Sequence, residues 1–188
     1  LNNTNLHVND IYYHHPTGKV FIGTFQEGVY VYDTILQQIK PLEKELKDIT
    51  INCIRYFNEN EILIGTDGTG VYKINAKSLQ TEPYIVADYT SYNAMNGNNI
   101  SDIYIDNEKR IWMANYPFGI TVRDDRYPRY KWIKHSKKNP QSLVNNQVNA
   151  ILEDMEGDLW FATNNGVSRY CPHDEKWHTY LNKFNKKI

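Results

Sequence analysis

Four times along its 188 residues the chain repeats one pattern of three short apolar segments. The first copy reads LHVNDI at Leu6–Ile11, KVFIGT at Lys19–Thr24 and GVYVYD at Gly28–Asp33. The second reads ITINCI from Ile49, EILIGT from Glu61 and GVYKIN from Gly70, and the third NNISDI from Asn98, RIWMAN from Arg110 and GITVRD from Gly119. The fourth reads NQVNAI from Asn146, DLWFAT from Asp158 and GVSRYC from Gly166. Registered on Gly23, Gly65, Ala114 and Ala162, the copies recur after 42, 49 and 48 residues. Ile11, Ile54, Ile103 and Ile151 precede those small residues by 12, 11, 11 and 11. Chance does not hold spacing so closely.

A fourth apolar stretch closes each copy, at Gln37, Thr81, Arg129 and Lys176. Four short segments parted by Gly, Asn, Asp and Pro are the content of a four-stranded antiparallel sheet, and the period suits one blade of a β-propeller. Fifteen Tyr and four Trp against three Met also favour strands, since aromatic and β-branched side chains fit a pleated surface. The expected fold is all-β: one partial propeller over 1–188, with blades at about 6–43, 49–87, 98–135 and 146–182. The Gly or Ala ending each second segment predicts a crowded position against the neighbouring blade, near the propeller axis. Trp160 and Ala162 are thereby expected in a packed interior.

Composition excludes several classes. The formal charge of -1 gives no general attraction to nucleic acid or an anionic membrane. No run approaches the 18 or so apolar residues of a membrane helix. Cys53 and Cys171 are the only cysteines, with no C-x-x-C spacing, and are expected as two packed thiols without a disulfide. The chain starts at Leu1 without a leader-like segment, as a mature product or excised piece would. No cofactor is implied.

One stretch invites a metal reading. In EDMEGDLWFATNNG, Asp154, Glu156 and Asp158 alternate as calcium-loop ligands do. An EF-hand counted from Asp154 needs Gly at its sixth position and Glu at its twelfth, where this chain has Leu159 and Asn165. The sister copies carry HHPTGK, NENE and DNEKR there, with no shared ligand set. The acidic residues therefore mark a hairpin. His14 and His15 are expected at a surface turn, His135 in a connector, and His173 and His178 beside the last strand, none at metal-ligand spacing.

The fourth copy with its lead-in, NPQSLVNNQVNAILEDMEGDLWFATNNGVSRY, resembles the two-component regulator propeller repeat in its S-L lead-in, V-x-x-I, D-x-x-G turn, L-W-x-x-T and N-G-hydrophobic. All four copies match in outline, the second most loosely, since it lacks Trp and its turn is NENE. The resemblance implies the periplasmic sensor region of a hybrid two-component system of Bacteroides. In such a receptor two seven-bladed propellers and a small β-sandwich precede a membrane helix, a histidine kinase and a response regulator. It also implies detection of glycan fragments and control of polysaccharide-utilisation genes. On that basis the four repeats form part of a larger, seven-bladed ring. Their partners would be the remaining blades, the sandwich domain and an oligosaccharide, with self-association through open edges.

Ligand candidates come from the turns between second and third strands, which in propellers open on one face together with the connectors. These are Phe25 and Gln26, Asp67, Tyr116 and Phe118 of NYPF, and Asn164 and Asn165. Tyr116 and Phe118 could stack on a sugar ring, or pack against the next blade or a partner chain. The segment from Arg123 to Lys138 carries seven Lys and Arg against two Asp. Arg126, Arg129, Lys131, Lys134, Lys137 and Lys138 could attract an acidic glycan or protein, or form a solvated strand edge.

The chain lacks G-x-S-x-G, P-loop, H-E-x-x-H and helix-opening G-x-G-x-x-G signatures, so this segment is expected not to be an enzyme and no catalytic residue is assigned. Glu27 and Asp67 would be the carboxylate pair of a glycosidase fragment, the lesser alternative. A scaffold binding other proteins is the other.

Overall fold

The structure, a computed structural model, describes residues 6–42, 45–88, 94–126 and 129–181. Within them the β-rich segments form four antiparallel sheets of four strands, each a meander in chain order. The first holds β1 (Val8–His14), β2 (Lys19–Thr24), β3 (Val29–Asp33) and β4 (Gln38–Pro41). The second holds β5 (Ile51–Asn58), β6 (Glu61–Thr66), β7 (Val71–Asn75) and β8 (Thr81–Ile85). The third holds β9 (Ile100–Ile105), β10 (Ile111–Asn115), β11 (Gly119–Asp124) and β12 (Arg129–Ile133). The fourth holds β13 (Val148–Glu153), β14 (Leu159–Thr163), β15 (Gly166–Cys171) and β16 (Lys176–Tyr180). These are the sheets of propeller blades. No helix among the described residues is long and apolar enough to cross a membrane.

Register repeats from sheet to sheet. Gly23 pairs with Asp10, Gly65 with Cys53, Ala114 with Asp102 and Ala162 with Ala150. One residue before each of those first-strand partners the ladder slips, leaving Asn9, Asn52, Ser101 and Asn149 as bulge residues. A bulge re-aims one side chain without breaking the sheet. The first strands also run further than the repeat motif suggests, to His14, Asn58, Ile105 and Glu153, because pairing continues to the hairpin.

The chain divides into two compact units, Leu1–Val86 and Ala87–Ile188. In the first, Phe21 and Val31 pack with Ile51, Ile54, Ile62 and Ile64 of the second sheet. A Cβ on Gly23 would lie 2.6 Å from Ile51 Cγ2, which is the crowding the small residue predicts. Asp10 clasps the same joint: its Oδ2 accepts from Ile54 N at 2.8 Å and Arg55 Nη1 at 2.6 Å. Burial of apolar area drives the packing, and the carboxylate fixes its register.

The second unit repeats the device. Trp112, Ala114, Ile120 and Val122 pack against Leu159, Phe161 and Trp177, with Trp112 and Phe161 rings 6.1 Å apart. Asp102 Oδ2 accepts from Ile151 N at 2.9 Å, the counterpart of the Asp10 bond. Tyr104 donates its hydroxyl to the Glu153 carboxylate, and burial together with that carboxylate raises its pKa.

Three expectations need correction. Ala162 is exposed and Trp160 only half-buried, because on β14 it is Leu159 and Phe161 that face the third sheet. His14 is not a turn residue but the fully buried end of β1. Its Nδ1 meets Thr17 Oγ1 at 2.9 Å, while Nε2 has no hydrogen-bond partner among the described residues. Cys53 is buried, but Cys171 is half-buried beside Asp158; both are free thiols.

Candidate functional site

One backbone bond recurs in every sheet and builds the candidate surfaces. The first residue of each second-to-third-strand turn donates its N–H to the residue four before the recurring Ile. Phe25 N bonds His7 O at 2.9 Å, Asp67 N bonds Thr50 O at 3.0 Å, Tyr116 N bonds Asn99 O at 3.0 Å and Asn164 N bonds Gln147 O at 3.1 Å. Each turn thus lies beside the lead-in to its own first strand. In the first, second and fourth sheets the Thr that closes the second strand tightens the turn: Thr24, Thr66 and Thr163 donate Oγ1–H to Gly28, Gly70 and Gly166 carbonyls at 2.7, 2.7 and 2.8 Å.

In the first unit Gln26 and Asp67 meet at Thr50, while Phe25 is bonded to His7. Gln26 N donates to Thr50 Oγ1 at 3.1 Å, while Asp67 N holds the Thr50 carbonyl. Phe25 is half-exposed and meets His7 edge-on, with ring centroids 6.0 Å apart. Thr50 thus joins Gln26 to Asp67.

The second unit departs from this plan at NYPF. Asn115 stands where the other copies have Thr and sends its Nδ2 to Gly97 O at 2.8 Å, leaving Oδ1 buried with no partner among the described residues. Phe118 lies over Gly97, where a Cβ would come within 2.8 Å of the ring. Only Gly allows that approach. Tyr116 and Phe118 remain 39% and 44% exposed, too much for rings that serve only as core.

A row of amides starts at the Tyr116 hydroxyl. It accepts from Gln147 Nε2 at 3.2 Å; Gln147 Oε1 accepts from Asn164 Nδ2 at 3.0 Å; Asn164 Oδ1 accepts from Asn149 Nδ2 at 2.8 Å. The structure therefore joins Tyr116 to Asn164 through Gln147, and the bulge aims Asn149 at the far end of the row. Asn165 is half-buried, and its N–H bonds Thr163 Oγ1 at 3.2 Å inside the turn. Gln147 and Asn149 were not among the sequence candidates. The signal for them is positional: they sit four and two residues before Ile151.

The residues of the basic stretch are held in different ways. Arg126 reaches Asp124 at 2.8 Å and Glu108 at 3.0 Å, which raises its pKa and lowers that of Asp124. Lys134 lies over the Trp132 ring at 4.7 Å, and Lys131, Lys137 and Lys138 are exposed. Arg129 opens β12, and its side chain lies outside the described residues. Among the described residues no group of three or more His, Cys, Asp or Glu is gathered to hold a metal ion.

The acidic hairpin of the fourth sheet has a different use. Asp154 Oδ1 accepts from Glu156 N and Asp158 N at 2.9 and 3.0 Å, and Oδ2 from Trp160 Nε1 at 2.6 Å. The Trp160 bond, with the two amides, holds its pKa below the usual carboxylate value. Both oxygens are engaged by protein donors.

No curated protein matches the chain. Among solved structures, the extracellular domain of a hybrid two-component system from B. thetaiotaomicron is 21% identical, with a TM-score of 0.57 over 87% of this chain and 27% of that one. The extracellular domain of another from the same organism is 20% identical, with a TM-score of 0.51 over 96% of this chain and 30% of that one. An auxiliary nutrient binding protein from Bacteroides ovatus is 10% identical, with a TM-score of 0.65 over 93% of this chain and 41% of that one. At such identities the likeness is one of fold, and the chain spans less than a third of either two-component domain. The expected resemblance to the sensor regions of Bacteroides hybrid two-component systems holds at that level. A family model matches residues 2–177, and the chain belongs to that family, the Pep3/Vps18/deep orange beta-propeller domain.

Proposed function

We propose that this propeller segment belongs to the periplasmic sensor region of an inner-membrane hybrid two-component receptor. It recognises a glycan fragment and contributes to control of polysaccharide-utilisation genes. The observation that carries the reading is the pairing of exposed Tyr116 and Phe118 with the amide row Gln147, Asn164 and Asn149. An aromatic face covers the C–H side of a sugar ring, and amides offer both donors and acceptors to its hydroxyls. The fold likeness to extracellular sensor domains and a nutrient binding protein supports it. Binding there would be signalled by altered packing between domains or protomers, and the segment itself performs no catalysis.

Calorimetric titration with a panel of neutral and acidic oligosaccharides tests this; a chain that binds none of them sinks it. A second reading, an interaction scaffold, draws on apolar side chains left open on two sheets. Ile11 is 63% and Leu152 64% exposed. Under that reading the remaining blades, a β-sandwich domain or a second copy would cover them.

A further inference from the structure

The geometry points to a second binding site, apart from the Tyr116 platform, in the hollow between the connector 135–144 and β16: it takes a small sugar acid or sugar sulfate by its anionic group. The hollow measures about 490 Å³, a volume usual for small-molecule sites. Hydrogen bonds fix its walls before any ligand arrives. Ser142 Oγ accepts from Ser136 N at 3.0 Å and donates to Asn139 O at 2.7 Å. Trp177 N donates to Gln141 Oε1 at 2.8 Å, and Val144 N to Ser168 Oγ at 2.9 Å. A wall already ordered loses little freedom on binding.

Its charge has one sign. Lys137, His135 and His178 line the hollow, and no Asp or Glu does. Arg123 and Arg126, from the same basic stretch, are held by Asp125, Asp124 and Glu108. Lys137 instead lines the hollow and is exposed. His135 Nδ1 lies 2.8 Å from Leu143 O; a carbonyl only accepts, so Nδ1 carries the proton and Nε2 is left to accept from a sugar hydroxyl. The Trp177 N–H points off the sheet to Gln141, and strand alternation sends the Thr179 N–H off the same edge. Ser136, Asn139 and Thr179 add side-chain partners for sugar hydroxyls.

The test is NMR titration of the full chain with glucuronate, glucose 6-sulfate, inorganic sulfate and glucose, reading the His135 and His178 ring signals. Saturable shifts with glucuronate or glucose 6-sulfate are expected, and which of the two binds identifies the anion. Lys137→Gln, at an exposed position that leaves the circular dichroism spectrum unchanged, should weaken that binding by about tenfold or more. Four results overturn the site: no shift with either sugar anion, equal shifts with glucose, inorganic sulfate binding as tightly as the sugars, or Lys137→Gln binding as the parent does. Neutral oligosaccharide binding that depends on Tyr116 is read separately, so either site can fail alone.

Discussion

The Trp160 indole nitrogen donates to the Asp154 carboxylate at 2.6 Å, and Trp112 does the same to Asp106 at 2.8 Å. Asp and Trp six residues apart thus close the first hairpin in the third and fourth sheets. What reads as a calcium loop is a carboxylate seated on its own hairpin. Asp154→Ala should lower the denaturation midpoint, since three donors lose their acceptor, and Asp154→Asn should lower it less. Adding calcium to the parent chain should leave the midpoint unchanged. A calcium-dependent rise would contradict this account of the hairpin.

Asp102 is nearly buried and ties the third sheet to Ile151 N of the fourth. Asp102→Ala leaves that amide without its partner and should cost about 1–3 kcal/mol. Urea denaturation followed by tryptophan fluorescence reads it directly, because Trp112 and Trp177 share the same core. A loss confined to a few tenths of a kcal/mol would mean that the apolar contacts alone set the joint.

Burial lowers the His14 pKa from its ordinary value of 6.5, and Lys19 adds to this. The Glu59 backbone carbonyl opposes it in part. The folded state therefore binds this proton less readily than the unfolded chain. Stability should be complete above pH 6.5 and fall progressively as the pH drops below it. His14→Leu should flatten that slope between pH 7 and about 5, where histidine is the side chain that ordinarily titrates. Equal slopes in both proteins would remove His14 from the acid response.

Exposed Ile11, Tyr13 and Leu152 give the chain apolar surface to cover. Light scattering should show mass rising with concentration, and Ile11→Lys together with Leu152→Lys should suppress the rise. A monomer at every concentration would count against self-association.

Strand positions were legible because the period and the apolar alternation are strong, and four of the second and third strands start and end where their motifs do: β2, β6, β11 and β15. Facing was less so. Trp160 and Trp112 occupy one motif position, yet only Trp112 is covered by a following sheet, and no local pattern distinguishes them. His14 escaped for a related reason: HHPTG reads as polar turn, whereas the ladder extends through His14 to pair with Lys19. The turn candidates were found by type, but Gln147 and Asn149 depend on a backbone bond and a bulge. Those are set by pairing across the sheet.

The aromatic and amide platform is tested most directly by calorimetric titration of the chain and its Tyr116→Ala variant with the glycan that the parent binds best. Stacking of one ring on one sugar predicts a loss of about tenfold in affinity, with a smaller loss for Gln147→Ala, which removes the first amide of the row. Unchanged affinity in Tyr116→Ala would contradict the platform and return Tyr116 to a structural role.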